Sequence, residues 1–385
     1  MKTKKLALAA MSVAVMFTSC SKDEVVSNSE NSLQNQIGFS TVGSSAQTKA
    51  NVYTQANSFG NFAVFAYNGT NLFMGGSAET GVNIVKNGSA WGYQNSADLA
   101  YWPTSTLDFY GVAPLKDNGV NDYSWNIKSD RQTISYLTAD EYGDAAGQTN
   151  VDVMYAIKNG YGKGVSGFDG TVHFKFKHIL SQILFQAKVE YASMVVDIKS
   201  IKVCNVRNAG TFVFPNSEND QATREENWTL DGINDFSVGF STESVENDCI
   251  TVNDVNNAKI ISKSDDNPLL FIPQVLTKWT TTSENPVSIS DANTNHHSYL
   301  AITCKIRQNG EYLFGSGTEF KTLYVPFGAS WEPGKRYIYT LIFGGGFDDN
   351  GDPILTPITF DAEVTDWVDA TDNNGDLNTS TGGVN

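Results

Sequence analysis

The sequence contains few of the side chains that usually carry catalysis or bind metals. It has four histidines in 385 residues, and it lacks the Gly-x-Ser-x-Gly, His-Glu-x-x-His and P-loop motifs. His296 and His297 stand in a polar stretch without a nearby cysteine or a paired acid at metal-ligand spacing, which favours a solvated loop. We therefore expect no catalytic residue, no metal site and no cofactor, and we interpret the chain as a non-enzyme.

Two acidic segments, residues 348–352 and 372–376, are dense in oxygen ligands. A calcium site would need further ligands in a fixed loop, and no twelve-residue EF-hand pattern follows either segment. We interpret both as acidic turns. The 42 acidic residues could still include a pair of the kind that glycosidases use, but the sequence singles none out.

The cysteine with a defined chemical context is Cys20. Three lysines lie within the first five residues, and residues 6–17 form an apolar run too short to span a bilayer. The small residues Thr18 and Ser19 then precede Cys20, which is the layout of a secretory signal. With the cysteine at the cut, it resembles a bacterial lipobox, in which lipid is attached to the thiol. We interpret residues 1–19 as a lipoprotein signal peptide; the alternative is an ordinary cleaved signal followed by a chance cysteine.

The chain after the signal is long, acidic and rich enough in apolar residues to fold. Residues 20–35 are polar and read as a flexible tether, and about 340 residues remain, a length typical of two domains. The formal charge is −16, and removing residues 1–19 takes away three lysines and no acid, which lowers it to −19. So acidic a protein is a poor binder of nucleic acid.

Short apolar segments recur between turn residues and predict an all-β protein. The segments at residues 62–67, 107–113 and 151–157 are apolar or alternating, and similar ones recur through the second half. Glycine is concentrated between Asn159 and Gly170, where we place a domain boundary. The prediction is an amino-terminal β-sandwich domain at residues 36–168, a carboxy-terminal one at residues 169–370 and a polar tail at residues 371–385.

Two strands at the ends of the chain differ from the rest. Residues 36–42 predict a first strand, and the small polar loop after it contains Lys49-Ala50, a bond open to proteolysis. The last strand, residues 357–367, alternates cleanly between apolar and polar side chains. Its apolar side chains are Ile358, Phe360, Ala362, Val364 and Trp367.

The apolar phase slips by one residue between Phe176 and Ile183. This slip predicts a bulge, a bend or a single helical turn near residues 178–182. His178 is at an even position, like the apolar side chains of the alternating segment that ends at Phe176. This position favours a buried structural histidine over a catalytic one. Cys204, Cys249 and Cys304 permit at most one internal disulfide, and the alternation around Cys304 favours a buried thiol there.

Several motifs, taken in order, resemble the fimbrillin family of Bacteroidetes, the subunits of type V pili. They come after the lipobox and cover nearly all of the mature chain: Ile37-Gly-Phe39, Thr48-Lys49-Ala50, Phe62-Ala-Val-Phe65-Ala-Tyr67, Tyr101-Trp-Pro103, Leu107-Asp-Phe-Tyr110, Phe176-Lys-His178-Ile-Leu-Ser-Gln-Ile183, Phe271-Ile-Pro-Gln274 and Trp331-Glu-Pro-Gly-Lys-Arg-Tyr-Ile-Tyr339.

The resemblance implies two transthyretin-like β-sandwich domains in a surface-exposed outer-membrane lipoprotein. A trypsin-like protease would remove the lipid and first strand by cutting at Lys49-Ala50, although family members cut by an arginine-specific protease have Arg there. Ile37, Phe39 and Val42 would be the displaced filler, and the last strand would be the donor that completes another subunit. The mature form would then lie in a fimbrium.

The implied partners are other fimbrial subunits, with a host glycan or protein as a further ligand. Stalk, tip and anchor subunits are not separated by these residues. The alternative from another class is a surface glycan-binding lipoprotein that uses Trp91, Trp102 or Trp228 as a sugar platform.

Overall fold

The computed structural model describes residues 35–41, 59–116, 123–138, 151–240, 248–262, 269–355 and 359–366. These ranges are almost entirely β-structure, which confirms the predicted fold class. Their helices are α1 (Arg224–Asn227), α2 (Ile289–Thr294) and a 3-10 turn at Ser96–Asp98. In this described part, no helix combines the length and the apolar character needed to cross a bilayer.

A seven-stranded sheet, here called the central sheet, organises the amino-terminal part. Its strands, from edge to edge, are β11 (Lys177–His178), β9 (Met154–Tyr161), β6 (Leu107–Ala113), β2 (Asn61–Asn68), β4 (Val82–Asn87) and β5 (Ala90–Tyr93), with β3 (Asn71–Met74) also paired to β2. Strand β2 is apolar nearly throughout because both faces of this sheet are covered. Phe62 and Val64 enter one core, whereas Ala63 and Phe65 enter the other.

Each face of the central sheet has its own covering layer. On one face lie β1 (Gly38–Thr41) and β10 (Thr171–Phe174), which pair in parallel. On the other face lies a four-stranded sheet, ordered β15 (Trp228–Asp231), β14 (Ala209–Val213), β8 (Gln132–Leu137) and β7 (Tyr123–Ile127). In this layer β14 pairs with β8, and Phe212 and Trp228 are buried in the same core as residues of β2 and β9. Strands from both sides of the predicted division at residues 168 and 169 therefore share sheets and cores.

The carboxy-terminal part is a sandwich of two sheets around one large core. The first sheet contains β18 (Lys259–Ile260), β12 (Ser181–Val189), β25 (Lys335–Phe343) and β28 (Thr359–Asp366) in that order, with β19 (Leu269–Phe271) paired to β12. The second contains β16 (Asn234–Ser237), β13 (Met194–Val206), β21 (Tyr299–Gln308), β23 (Lys321–Pro326), β26 (Gly345–Phe347) and β27 (Pro353–Leu355), with β17 (Ile250–Val252) paired to β13 and β22 (Glu311–Phe314) paired to β21. A separate pair joins β20 (Val275–Leu276) to β24 (Ala329–Ser330).

The predicted irregularity after Phe176 is the point where the chain changes sheets. Strand β11 ends at His178 in the central sheet, and β12 begins at Ser181 in the carboxy-terminal sandwich. His178 is buried, and its Nδ1 lies 3.0 Å from Asp152 Oδ1. The phase slip thus marks a transfer between two packed layers, and the histidine is part of the interior, as predicted.

Gly81 gives a stability prediction for the central sheet. Its φ is +70°, and a Cβ there would lie 2.9 Å from the Cβ of Ala63 and from Phe65. We expect Gly81→Ala to destabilise the protein by about 2–4 kcal/mol, because left-handed strain and overpacking add. Gly88→Ala is the matched control: its φ is +64° with no atom within 4 Å of the added Cβ, so only the strain of about 1 kcal/mol applies. Urea denaturation, monitored by far-ultraviolet circular dichroism, measures the free energy of unfolding of both variants. Equal losses of stability in the two would contradict the packing argument.

Candidate functional site

Strand β1 lies in a seat formed by two separate segments of backbone. On one side it pairs in parallel with β10, in the register Gly38↔Thr171 to Thr41↔Phe174. On the other side, Trp102 N donates to Asn35 O at 2.8 Å, and Ile37 N donates to Ala100 O at 2.9 Å. The first strand therefore forms these hydrogen bonds with residues about 60 and 130 positions away in the sequence.

The inward side chains of the first strand fill part of the core beneath it. Ile37 is fully buried and Phe39 is 6% exposed. The Phe39 ring lies 5.7 Å from Tyr93, 6.3 Å from Phe62 and 6.3 Å from Phe174, measured between ring centroids. Burying an isoleucine and a phenylalanine stabilises by about 1.5–3 kcal/mol each. Removal of β1 would therefore leave an open apolar groove.

On the outward side of β1, a chain of side-chain hydrogen bonds, here called the relay, connects Ser40, His173 and Asp169. Ser40 Oγ lies 2.5 Å from His173 Nδ1 on β10, and His173 Nε2 lies 2.8 Å from Asp169 Oδ2. The hydrogen bond with His173 is the largest factor that holds the pKa of Asp169 below its usual value, and the amide of Thr171 also donates to this carboxylate. Serine, histidine and aspartate are the groups of hydrolytic triads. Here they lie on the solvent side of a strand pair, with the side chains of His173 and Asp169 42% and 54% exposed, so the relay links β1 to β10 rather than lining a cleft.

Strand β28 lies at the edge of the carboxy-terminal sandwich. It runs antiparallel to β25 through eight pairs, from Lys335↔Asp366 to Ile342↔Thr359. The side chains of residues 361–366 are all exposed, and Val364 is 53% exposed although its parity points toward the sandwich. An ion pair between Lys335 and Asp366 closes the end of the ladder. Over residues 361–366 the strand is thus attached mainly through its backbone.

Some of the predicted site residues lie within the described residues and others lie outside them. Cys20, Val42, Lys49, Ala50, Ile358 and Trp367 lie outside the described residues. Ile37 and Phe39 are together in the core, and Ala362 and Val364 are together on the exposed strand β28. Their roles in cleavage and strand transfer stay predictions. The contact of Ser40 with His173 and Asp169 could not be predicted from the sequence, because 133 positions separate Ser40 from His173.

The tryptophans proposed as a sugar platform are mostly buried. Trp102 is 5% exposed and donates from Nε1 to Gly170 O, while Trp228 is 7% exposed and donates to Ile179 O. Trp91 is partly buried against Phe59 and Phe62. None of the three presents a fully open ring face for stacking on a sugar.

The cysteines and the acidic segment at residues 348–352 are the other groups considered for chemistry. Cys204, Cys249 and Cys304 are buried and form no disulfide bond among the described residues, and burial raises the pKa of the Cys204 thiol to about 12. Asp348 accepts hydrogen bonds from the amides of Asn350 and Asp352, the geometry of a turn. The described residues contain no cluster of histidine, cysteine and acidic side chains that could hold a metal ion.

The described residues form an all-β fold built from several packed sheets, and known proteins with related sequences or structures identify its family. A family model described as fimbrillin-like matches residues 48–367. The chain therefore belongs to the fimbrillin-like family, and it is a structural or adhesive subunit of cell-surface fimbriae that associates with other fimbrial subunits.

Two solved structures of bacterial fimbrial proteins align with most of the chain. A fimbrial protein from Bacteroides vulgatus aligns with a TM-score of 0.55 at 17% identity, covering 86% of this chain and 99% of the other. The tip fimbrial protein Mfa3 from Porphyromonas gingivalis aligns with a TM-score of 0.35 at 10% identity, covering 83% and 97%. The first alignment shows the shared fold. No curated protein sequence matches the chain.

Proposed function

We propose that this subunit reaches the cell surface as a lipoprotein anchored through Cys20 in the outer membrane, and that it joins other subunits by exchange of strands. A cut at Lys49-Ala50 would separate β1 from the rest of the chain. The single observation that carries the proposal is the position of residues 37–41, whose side chains Ile37 and Phe39 complete a core made otherwise of distant residues.

The cut would change β1 from a tethered strand to a dissociable peptide. Before the cut, β1 competes for its seat at the high effective concentration of an intramolecular segment. After the cut, only two buried side chains and a few backbone hydrogen bonds keep β1 bound. A strand from a neighbouring subunit can then replace it. Strand β28 suits this exchange because it lies at a sheet edge with exposed side chains.

We propose no enzymatic activity for the chain. Host glycans or proteins remain candidate ligands of an adhesive subunit, but the burial of Trp102 and Trp228 gives no support to a tryptophan platform for sugars. The alternative function as a glycan-binding lipoprotein is therefore not favoured.

Mutation of Lys49 tests the activation step. Trypsin treatment of the wild type should produce ladders on gels run without boiling, whereas Lys49→Ala should stay monomeric because β1 remains covalently held. Lys49→Arg should restore the ladder and extend it to an arginine-specific protease. Lys321→Ala, which changes an exposed lysine of β23, is the matched control and should behave like the wild type. Ladders from Lys49→Ala, or a monomeric wild type after a verified cut, would refute the mechanism.

Lipid attachment is tested separately by metabolic labelling with an alkyne analogue of palmitate. The wild type should be labelled and Cys20→Ala should lose the label, because Cys20 is the proposed acylated thiol. Equal labelling of the two proteins would exclude Cys20 as the anchor.

A further inference from the structure

The connection between β14 and β15, residues 214–227, borders a cavity of about 250 Å³, here called the β14–β15 pocket. Its buried part includes Phe214, which is 4% exposed, and Asn227, which is 7% exposed. Pockets for drug-sized ligands usually measure about 300–1,000 Å³, so this one suits a group of the size of a single ring. None of the three tryptophans considered above is among the described residues that line it.

Hydrogen bonds from neighbouring strands hold this connection in a defined conformation. Lys177 of β11 donates from Nζ to the carbonyl oxygens of Glu218 and Asp220, at 3.0 and 2.8 Å. Asn159 of β9 donates from Nδ2 to Asn216 O at 2.9 Å. A ligand that enters the pocket therefore meets a preformed surface, and little conformational entropy is lost on binding.

The side chains at the mouth of the pocket offer both hydrogen-bond donors and acceptors. Asn216 and Gln221 contribute amides, and Asp220 and Glu226 contribute carboxylates; all four residues are exposed. A hydroxyl both donates and accepts, so a ligand with several hydroxyls can use the two kinds of group together. An ammonium or guanidinium group only donates and would leave the amide N–H groups unused. The lining thus favours a polyhydroxyl ligand over a cation.

We infer that the β14–β15 pocket binds one neutral sugar residue at the end of a glycan. Hydroxyls of the sugar bond to Gln221 and to Glu226, and its C–H face lies against the apolar surface that Val213 and Pro215 supply to the pocket. The inference rests on the adhesive role within the proposed function and names the ligand class. It is independent of strand exchange, because the described residues that line the pocket include none from β1 or β28.

The charges around the pocket select against acidic sugars. Two carboxylates lie at its mouth. The neighbouring cations are already paired, since Lys158 Nζ lies 3.0 Å from Glu218 Oε1 and Arg224 forms an ion pair with Glu332. The carboxylate of a sialic acid would therefore meet like charge at the mouth of the pocket.

Neoglycoproteins with a single kind of terminal sugar test the site. Serum albumin that carries a neutral hexose, a deoxyhexose, an N-acetylhexosamine or sialic acid is immobilised, and binding of the complete chain is measured by biolayer interferometry. We expect at least one neutral conjugate to bind, and the sialylated conjugate to bind about tenfold more weakly or not at all. Glu226→Gln should weaken binding about tenfold and Gln221→Ala about fivefold, because each removes a hydrogen-bonding group. Glu225→Gln removes the same charge one residue outside the lining and is the matched control, which should bind like the wild type.

Each result decides for or against the inference. Binding to none of the neutral conjugates would overturn it, as would binding that neither Glu226→Gln nor Gln221→Ala weakens. Stronger binding of the sialylated conjugate, or of albumin that carries arginine peptides, would assign a charged ligand and also overturn it. The same variants, once cut at Lys49, should form ladders on unboiled gels like the wild type, so failure of the sugar site leaves strand exchange standing. Far-ultraviolet circular dichroism of each variant confirms that it is folded.

Discussion

A disulfide between positions 338 and 363 is expected to hold the cut protein as a monomer. Ile338 and Glu363 face each other across the β25–β28 ladder, and Glu363 is exposed, so the variant Ile338→Cys/Glu363→Cys fixes β28 to its own sheet without altering a buried side chain of β28. If β28 must leave for a neighbouring subunit, the lock should abolish ladders on unboiled gels. Reduction with dithiothreitol should restore them to the wild-type level, because the same ladder can then open.

The matched control places a disulfide in the other sheet of the same sandwich. Thr303 and Thr322 face each other across β21 and β23, with their hydroxyl oxygens 2.9 Å apart. The variant Thr303→Cys/Thr322→Cys should polymerise whether oxidised or reduced, since neither strand is proposed to move. Equal polymerisation of the oxidised 338/363 variant and the wild type would mean that β28 stays in its sheet and that the joining segment lies elsewhere.

A fragment of residues 36–168 is expected to lack a cooperative unfolding transition. The layer that covers one face of the central sheet contains β14 and β15, and both come after residue 168 in the sequence. Phe212, Phe214 and Trp228 from this region supply aromatic packing for Tyr155 and for one another, at ring-centroid distances of 5.0 to 5.9 Å. Without them the fragment keeps only β7 and β8 of this layer and would expose part of one apolar face of its main sheet.

The variant Trp228→Ala, made in the complete chain, measures how much this aromatic packing contributes to stability without truncating the protein. We expect a loss of about 3–5 kcal/mol, the usual cost of deleting a buried tryptophan side chain. Tyr312→Ala on β22, where the tyrosine is 42% exposed, is the control and should cost much less. Urea denaturation of both variants is compared with thermal denaturation of the fragment. A sharp transition in the fragment, or a small effect of Trp228→Ala, would show that the amino-terminal layers are stable without β14 and β15.

Much of the local structure was predictable because it depends on short-range patterns. The apolar segment at residues 107–113 predicted β6, whose Leu107, Phe109, Val112 and Ala113 are buried. The phase slip after Phe176 predicted an irregularity, and the burial of His178 agreed with its parity. Ile37 and Phe39 could be assigned to a buried first strand for the same reason, since side-chain direction in a strand is fixed by the period of two.

The sequence by itself thus determined the β-class, the positions of several strands and the apolar face of the first strand. The tertiary structure decided which strands share a sheet: β14 with β8, β1 with β10, and β28 with β25. It also created the relay of Ser40, His173 and Asp169 and left Val364 exposed despite its alternating pattern. Strand pairing joins residues far apart in the chain, and its register comes from the packing of whole layers, so a local pattern does not encode it.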